Sequence, residues 1–254
     1  MKIVLTGTGT SQGIPVIGCE CAVCKSTDAH DKRLRTAAFL EGNGTHIAID
    51  AGPDFRQQML NLGIRHLDAL FLTHEHNDHV AGLDDIRPFN FIQRQPIKVF
   101  ALKRVADEIR YRFAYIFSNK PYPGAPQIEL IEVEPYREYT VGHLSILPFL
   151  VFHGSMEVLA LRVGSIAYIT DANQIPNRSE PALLGVETLI INALHHKAHH
   201  SHFNLIQAMD EVDRLGVKQA YFTHISHHMG LHEEINKQLP DRMQLGFDGQ
   251  IIRF

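Results

Sequence analysis

The sequence has no apolar run that approaches the roughly 20 residues needed to span a bilayer. Near its start, Lys2 is followed by only three apolar residues before Thr6 and Gly7, which is too short for a secretory signal. Repeats, low-complexity tracts and linkers are also missing. We therefore expect a single cytoplasmic domain over residues 1–254, without a membrane segment.

The sequence also lacks an excess of positive charge. Its 24 lysine and arginine residues are outnumbered by 28 aspartate and glutamate residues, which gives a formal net charge of -4 and a pI near 6.5. Because nucleic-acid binding is usually accompanied by a basic patch or stripe, this balance provides no general attraction to nucleic acid. Nucleic acid is therefore not an expected partner.

Cysteine is scarce, and the three cysteines, Cys19, Cys21 and Cys24, are crowded into six positions and cannot all pair with one another. In a cytoplasmic chain, this arrangement favours metal binding over disulfides. Thiolates at this spacing suit tetrahedral Zn²⁺, but a structural zinc site needs a fourth ligand, which must come from a distant part of the chain. The alternative is three buried free thiols.

Histidine, in contrast, is abundant, with 17 residues that lie mostly in three clusters. The first cluster is the motif His74-x-His76-x-Asp78-His79, which directly follows the apolar run at 67–72. Three imidazoles and a carboxylate so close together are costly to place unless a cation holds them. The natural candidate is a divalent metal.

Apolar periodicity and turn residues predict short strands that alternate with a few helices. The Asn43-Gly44 pair predicts a hairpin turn, and Pro88 predicts an interruption in the helix that contains it. The predicted elements are a hairpin of strands 36–41 and 46–50, helices 54–62, 80–91, 104–117 and 205–215, and strands 2–6, 98–101, 128–133, 138–141, 144–151, 157–163, 165–170, 188–192 and 219–222.

Acidic and imidazole side chains follow several of the predicted strands. His153, Asp171 and His224 each come just after a strand, and Asp50 ends the hairpin. Because strand ends share one rim of a layered α/β structure, we expect these residues to lie close to the motif. Asp50 has two interpretations, either a turn carboxylate or an acceptor for a metal-binding imidazole.

The motif, followed by His153, Asp171 and His224 at strand ends, resembles the metallo-β-lactamase superfamily. Three further features narrow the resemblance to its cyclic-phosphate phosphodiesterase branch, the group of the phosphonate-pathway enzyme that acts on phosphoribosyl 1,2-cyclic phosphate. They are the Cys19-x-Cys21-x-x-Cys24 motif, the run Gly-Leu-Asp-Asp-Ile-Arg-Pro-Phe at 82–89 and the run Thr-His-Ile-Ser-His at 223–227.

This resemblance implies a four-layer αββα fold, in which two sheets lie between layers of helices and the metals bind at one edge. It also makes a homodimer an expected assembly. The implied ligands are His74, His76 and His153 for one metal, Asp78, His79 and His224 for the other, Asp171 as the bridge, and Cys19, Cys21, Cys24 and His227 for a structural zinc. His228 is the alternative to His227 at the zinc.

Two divalent cations at such a site can clamp a phosphoryl oxygen and generate hydroxide from water near neutral pH. The mixed nitrogen and oxygen ligands fit Zn²⁺, Mn²⁺ or Fe²⁺, and affinity does not choose among them. Because Asp78 binds one cation in this scheme, we expect it to be essential for catalysis.

The resemblance places a histidine before the late helix, where His202 stands. Free backbone N–H groups favour an anion there, so we expect His202 to bind the phosphate and protonate the leaving oxygen. The alternative is a solvated loop. The neighbouring histidines have no role implied by the resemblance; they are His195, His196, His199 and His200.

Arg87, Tyr122 and the loop 118–126 are further candidates for substrate contact. For Arg87 the alternative is a structural ion pair with Asp84 or Asp85.

The leading hypothesis is a phosphodiesterase that hydrolyses a small cyclic phosphate or phosphodiester by attack of metal-bound hydroxide. The same metals could instead polarise the carbonyl of an ester, thioester or lactam. Processing of tRNA 3′ ends is a third hypothesis, although the chain is slightly acidic and shows no inserted basic arm. A metal-binding scaffold without catalysis is the alternative outside enzymes.

Overall fold

The computed structural model describes residues 1–254, which form two seven-stranded sheets with helices on their outer faces. The strands are β1 (Lys2–Gly7), β2 (Ala37–Gly42), β3 (Thr45–Ile49), β4 (Ala69–Phe71), β5 (Ile97–Ala101), β6 (Ile128–Glu132), β7 (Tyr139–Val141), β8 (Leu144–His153), β9 (Met156–Val163), β10 (Ile166–Ile169), β11 (Thr188–Asn192), β12 (Gln219–Thr223), β13 (Met243–Leu245) and β14 (Gln250–Arg253). The helices are α1 (Ala22–Lys25), α2 (Phe55–Leu62), α3 (Asn77–Val80), α4 (Arg87–Gln93), α5 (Lys103–Arg112), α6 (Glu180–Leu183), α7 (Leu205–Leu215) and α8 (His232–Asn236). No helix has the length and apolar character that a membrane crossing requires.

The strand order is β14-β1-β2-β3-β4-β5-β6 in the first sheet and β13-β12-β11-β10-β9-β8-β7 in the second. Strands β3 to β6 are parallel to one another, and so are β10 to β13. Parallel neighbours end at the same edge of a sheet, and the register pairs Ile49 with Phe71 and Asn192 with Thr223. Each sheet therefore presents a row of carboxyl strand ends.

Alternate side chains of the strands enter two different cores. In β10, Ile166 and Tyr168 pack in the core that both sheets share, whereas Ala167 and Ile169 pack in a second core with α6, α7 and α8. Helices α2, α4 and α5 also contribute to the first core. The layers are thus helix, sheet, sheet and helix, and the predicted αββα architecture is confirmed.

Turn and helix signals that involve only a few neighbouring residues predicted a hairpin and a helix correctly. Asn43 and Gly44 turn the hairpin between β2 and β3 with φ of 50° and 75°, values that suit these two residue types. Helix α7 begins with a reciprocal cap between Asn204 and Gln207 and ends at Gly216, whose φ is 64°. The predicted hairpin and late helix are therefore confirmed.

The helix predicted over 104–117 is wrong in its extent, because α5 ends at Arg112. Phe113 still packs against the first core, although it lies in the turn after the helix. Apolar spacing alone therefore does not mark the end of this helix.

The helix predicted over 80–91 is divided into α3, a 3₁₀ turn at Leu83–Ile86 and α4. Pro88 lies in the first turn of α4, where its missing N–H is not needed, so the break comes before the proline. The chain near Gly82 approaches another loop so closely that an added Cβ would lie 2.0 Å from the Gly52 carbonyl oxygen. This close approach separates α3 from α4.

Candidate metal centre

Five strand ends bring polar side chains to one rim of the sandwich. Asp50 follows β3, His74 lies shortly after β4, Asp171 lies shortly after β10, and His224 follows β12. His153 is the last residue of β8 rather than the residue after it, because that strand is longer than predicted. The rim lies where both parallel sets of strands end.

Three of these residues have a left-handed backbone. The φ angles are 67° for Asp50, 51° for Asp171 and 53° for His224. Such conformations cost on the order of 1–3 kcal/mol for residues other than glycine and are concentrated at functional sites. The rim therefore has backbone strain at the positions of its acidic and imidazole side chains.

His79 lies between three carboxylates. Its Nδ1 is 2.7 Å from Asp50 Oδ2, while its Nε2 is 3.2 Å from Asp78 Oδ2 and 3.0 Å from Asp171 Oδ2. Asp50 also accepts hydrogen bonds from the backbone N–H and the hydroxyl of Thr73. Of the two interpretations of Asp50, the structure therefore supports the acceptor that orients an imidazole.

Asp171 connects His79 to His224. One oxygen of its carboxylate faces His79, and the other lies 3.0 Å from His224 Nε2, which is also 3.7 Å from Asp78 Oδ2. Burial disfavours the charged carboxylate, but His224 and His79 outweigh it and hold the pKa of Asp171 well below its usual value. Burial likewise opposes a charge on His79, yet Asp171 and Asp50 raise its pKa well above the usual value. These carboxylates therefore require positive charge beside them.

The other expected ligands meet on the neighbouring side of the rim. His74 Nε2 lies 3.0 Å from His76 Nδ1, and the ring centroids of His76 and His153 are 5.2 Å apart. The Nδ1 of His153 lies 2.7 Å from the carbonyl oxygen of Ser201, an acceptor, so the ring donates there and its Nε2 carries the lone pair. The structure thus brings together all seven residues expected for two metals.

His202 lies beside these residues. Its Nδ1 is 3.5 Å from Asp171 Oδ1, and its ring stacks on His224 with centroids 4.8 Å apart. Burial and the nearby His224 lower the pKa of His202 to about 2. The nitrogen and oxygen atoms of His153, Asp171 and His202 are also close enough to share one ion, so His202 can serve either as a ligand or as a proton donor.

The buried ring nitrogens at the rim show whether these residues suit a metal ion. His79 Nε2, His202 Nδ1 and both ring nitrogens of His224 have no hydrogen-bond partner, although two of them approach Asp171 to 3.0 Å. An unpaired buried polar atom costs about 1–3 kcal/mol. Divalent cations would use these lone pairs, and mixed imidazole and carboxylate ligands suit such ions. The residues therefore fit divalent metal binding.

A second cluster contains the three thiols and one imidazole. The Nδ1 of His227 lies 3.3 Å from Cys19 Sγ, 3.4 Å from Cys21 Sγ and 3.6 Å from Cys24 Sγ. Tetrahedral zinc with ordinary bond lengths would separate sulfur and nitrogen by about 3.6 Å. The backbone N–H of Cys24 donates to Cys21 Sγ and contributes most to lowering the pKa of that thiol to about 6. His227, and not His228, lies beside the thiols.

We expect Cys21→Ser to remove one zinc per chain and to lower the melting temperature. Only a small apolar group centred on Ile14, Val23 and Cys24 packs around this cluster, so metal binding should contribute much of its local stability. A loss of roughly 2 kcal/mol corresponds to about 4–8 °C in a chain of this size. Metal analysis and thermal denaturation measure both effects.

Lys25→Ala is the matched control, because Lys25 has an exposed side chain at the end of α1, the helix that Cys21 caps. It should retain the zinc. Unchanged zinc content and melting temperature in Cys21→Ser would contradict a zinc-binding role for the cluster.

Two residues that hold the ligand-bearing segments in place were not identified from the sequence. The Asn192 amide exchanges two hydrogen bonds, of 2.8 and 2.9 Å, with the backbone of Ala172 and so holds the turn beside Asp171. Arg112 donates to the Glu75 carbonyl and to Asn77 Oδ1, inside the motif. Asn192 could have been recognised as a polar residue that ends the otherwise apolar strand β11. Nothing in the sequence connects Arg112 with residue 75.

The residues expected to contact the substrate, Arg87 and Tyr122, pack against Asp84 and Tyr115. Arg87 forms an ion pair of 2.8 Å with Asp84 and lies 3.5 Å from the Tyr122 hydroxyl. Tyr122 stacks on Tyr115, whose hydroxyl donates to Asp84. The structural ion pair foreseen for Arg87 is therefore present.

Comparisons with known proteins agree with this geometry. Residues 45–225 match the family described as the Beta-lactamase superfamily domain. The chain is 41% identical, over 98% of its length, to a protein of Porphyromonas gingivalis named octanoyltransferase, of which it covers 51%. It is 30% identical over 43% of its length to coenzyme PQQ synthesis protein B of Methylobacterium nodulans, of which the match covers 40%. The matches thus span about half or less of these relatives.

Solved structures extend the comparison to the whole chain. A diphosphatase from the PhnP family has 39% identity and a TM-score of 0.92, with 100% of this chain and 96% of that chain covered. Zinc-bound PqqB from Methylobacterium extorquens has 18% identity, a TM-score of 0.76 and full coverage of both chains, which shows the shared fold. The chain therefore belongs to the metallo-β-lactamase superfamily.

Proposed function

We propose that the protein is a phosphodiesterase that uses two divalent metal ions to hydrolyse a small cyclic phosphate or phosphodiester, with residues 1–254 as one hydrolase domain. The observation that carries this proposal is the position of Asp171, whose two oxygens face different imidazoles at the junction of two ligand sets. In the proposal one ion would be held by His74, His76 and His153, the other by Asp78, His79 and His224, and Asp171 would contribute to both.

The bound ions would supply a Lewis acid for a phosphoryl oxygen and a nucleophile at neutral pH. The residues of the chain contribute orientation and exclusion of water. Asp50 keeps His79 in the tautomer with a free Nε2, and the Ser201 carbonyl does the same for His153. His74 and His79 are fully buried, so their charges and lone pairs act in a medium of low dielectric constant. A third ion, zinc, would occupy the cysteine cluster.

His202 is the proposed proton donor to the leaving oxygen. It is 8% exposed and stacks on His224, so it lies at the rim without being sealed from a substrate. It also precedes α7, but the first-turn N–H groups of Leu205 and Gln207 already donate to the His195 carbonyl and to Asn204 Oδ1, so the helix would favour an anion through its dipole rather than through free donors. Substrate phosphate bound there would both contact the imidazole and supply the negative charge that favours its protonated form.

A diphosphate ester is the second candidate substrate. The observation in its favour is that the PhnP-family protein, a diphosphatase, is similar to this chain throughout its length. Diesters and diphosphates share a phosphoryl centre and differ in the leaving group. The octanoyltransferase name favours acyl chemistry, but the match covers about half of that protein.

A substrate panel tests the proposal. The metal-loaded protein should hydrolyse bis(p-nitrophenyl) phosphate or adenosine 2′,3′-cyclic phosphate with kcat/KM roughly 100-fold or more above that for a thioester or a β-lactam. Diadenosine diphosphate and precursor tRNA complete the panel. Hydrolysis of the diphosphate alone would make diphosphate esters the substrate class. A preference for the thioester or the β-lactam would refute phosphoryl specificity.

A further inference from the structure

Glu75 is the acidic residue of the motif at 74–79 that has no role as a metal ligand. It lies between His74 and His76, and its side chain is 17% exposed. One carboxylate oxygen, Oε2, is buried and has no hydrogen-bond partner, while Oε1 forms an ion pair with Arg104 of α5. No other cation pairs with this carboxylate. Because a mostly buried charge is costly without a partner, the carboxylate between the two ligands depends on Arg104.

Arg104 also contacts the second sheet. Its Nη2 donates to the carbonyl oxygen of Glu157 in β9 at 2.7 Å. Glu157 is the register partner of Phe152 in β8, and Phe152 directly precedes His153. One guanidinium therefore joins the motif, at the edge of the first sheet, to the pair of strands in the second sheet that carries His153.

The two segments that Arg104 joins supply the ligands of one proposed ion. His74 and His76 belong to the motif, and His153 ends β8. The position of these segments relative to each other decides whether the three imidazoles can reach one ion. A backbone hydrogen bond of 3.0 Å from Leu159 to the Thr73 carbonyl also connects the segments. Arg104 adds the connection that acts through the Glu75 side chain.

The ligands of the other proposed ion have different support. Asp50 Oδ2 lies 2.7 Å from His79 Nδ1, and the turn that follows β12 positions His224. Arg104 forms no hydrogen bond or ion pair with Asp78, His79 or His224. Loss of the guanidinium should therefore affect one ion more than the other.

We propose that Arg104 is a positioning residue that sets the affinity of the rim for the ion assigned to His74, His76 and His153. The inference rests on the proposed division of ligands between two ions and adds a residue that contacts neither ion. Without Arg104, the Glu75 carboxylate would turn towards water and move the backbone between its neighbours, and β9 would lose a contact with the motif. Loss of a contact that orients a metal ligand typically lowers metal affinity 10–100-fold.

The test is a titration of the metal-free rim with Mn²⁺, in which the electron paramagnetic resonance signal of the unbound ion is measured. Mn²⁺ suits nitrogen and oxygen ligands and leaves the zinc to the soft thiolates. Wild type should bind two Mn²⁺ ions. Arg104→Met should weaken one binding event by about 10–100-fold and leave the other nearly unchanged. His153→Ala, which removes a ligand, identifies the event that should be weakened.

Two further variants separate positioning from a general loss of stability. Arg110→Met is the matched control, because Arg110 lies in the same helix with equal exposure and pairs with Asp107 and Glu132. It should keep both binding events. Arg104→Lys should give an intermediate affinity, because a lysine ammonium can pair with Glu75 but lacks the fork that also reaches the strand β9.

A double-mutant cycle tests the route through Glu75. Glu75→Gln removes the charge that Arg104 compensates, so in that background Arg104→Met should cost much less affinity than in the wild type. Equal weakening of both binding events, a lower melting temperature with both affinities kept, or additive losses in the cycle would overturn the inference and leave the two-ion proposal standing. Fewer than two Mn²⁺ ions bound by the wild-type rim would overturn both.

Discussion

Replacement of Asp171 by asparagine should lower kcat by at least roughly 100-fold and release metal from the rim, since even the loss of a contact that supports a ligand costs 10–100-fold. The change keeps the size of the side chain but removes its negative charge. One oxygen of Asp171 faces His79 and the other faces His224, at 3.0 Å in each case. An amide offers a single acceptor atom, so it cannot bind two cations at once.

The measurement combines kcat with metal content and a melting curve. Asp107→Asn is the control, because Asp107 is an exposed carboxylate paired with Lys103. It should leave kcat, metal content and melting temperature unchanged. We expect Asp78→Ala, which removes a carboxylate 3.2 Å from His79 Nε2, to cause a similar loss. An Asp171→Asn protein with full metal content and more than a tenth of the wild-type kcat would contradict the bridging role.

Replacement of His202 by alanine should lower kcat by about 10²–10⁴-fold, the usual contribution of a placed general acid or base. The loss should depend on the leaving group. A p-nitrophenolate leaves readily without a proton, whereas an alkoxide needs one, so an alkyl diester should suffer more than bis(p-nitrophenyl) phosphate. A series of diesters with leaving groups of increasing pKa measures this dependence.

Metal content separates the two roles that the geometry allows for His202. If His202 is the proton donor, the alanine variant should keep the metal content of the wild type. Loss of metal, with an equal decrease for all leaving groups, would instead make it a ligand beside His153 and Asp171. His200→Ala is the control, because His200 belongs to the same segment but is exposed, and it should leave kcat close to the wild-type value.

The sequence predicted those parts of the protein that depend on short stretches of chain. The hairpin at Asn43 and Gly44 and the late helix at 205–215 follow from the preferences and apolar spacing of a few residues. The residue types and spacing of the motif at 74–79, with its resemblance to the metallo-β-lactamase superfamily, also predicted the fold class. The final strands β13 and β14 and helix α8 escaped prediction, because the segment after residue 229 has little regular apolar spacing.

The tertiary structure decided which of these residues meet. His227 rather than His228 lies beside Cys19, a contact across 208 positions in sequence, and sequence alone could not choose between two adjacent imidazoles. The same holds for Asp50, whose carboxylate reaches His79 across 29 positions only because β3 and β4 are parallel neighbours. The sequence by itself determined the chemistry of the ligands and the sandwich that holds them. Their pairing depended on strand order and on how the loops turn at the rim, which long-range packing sets.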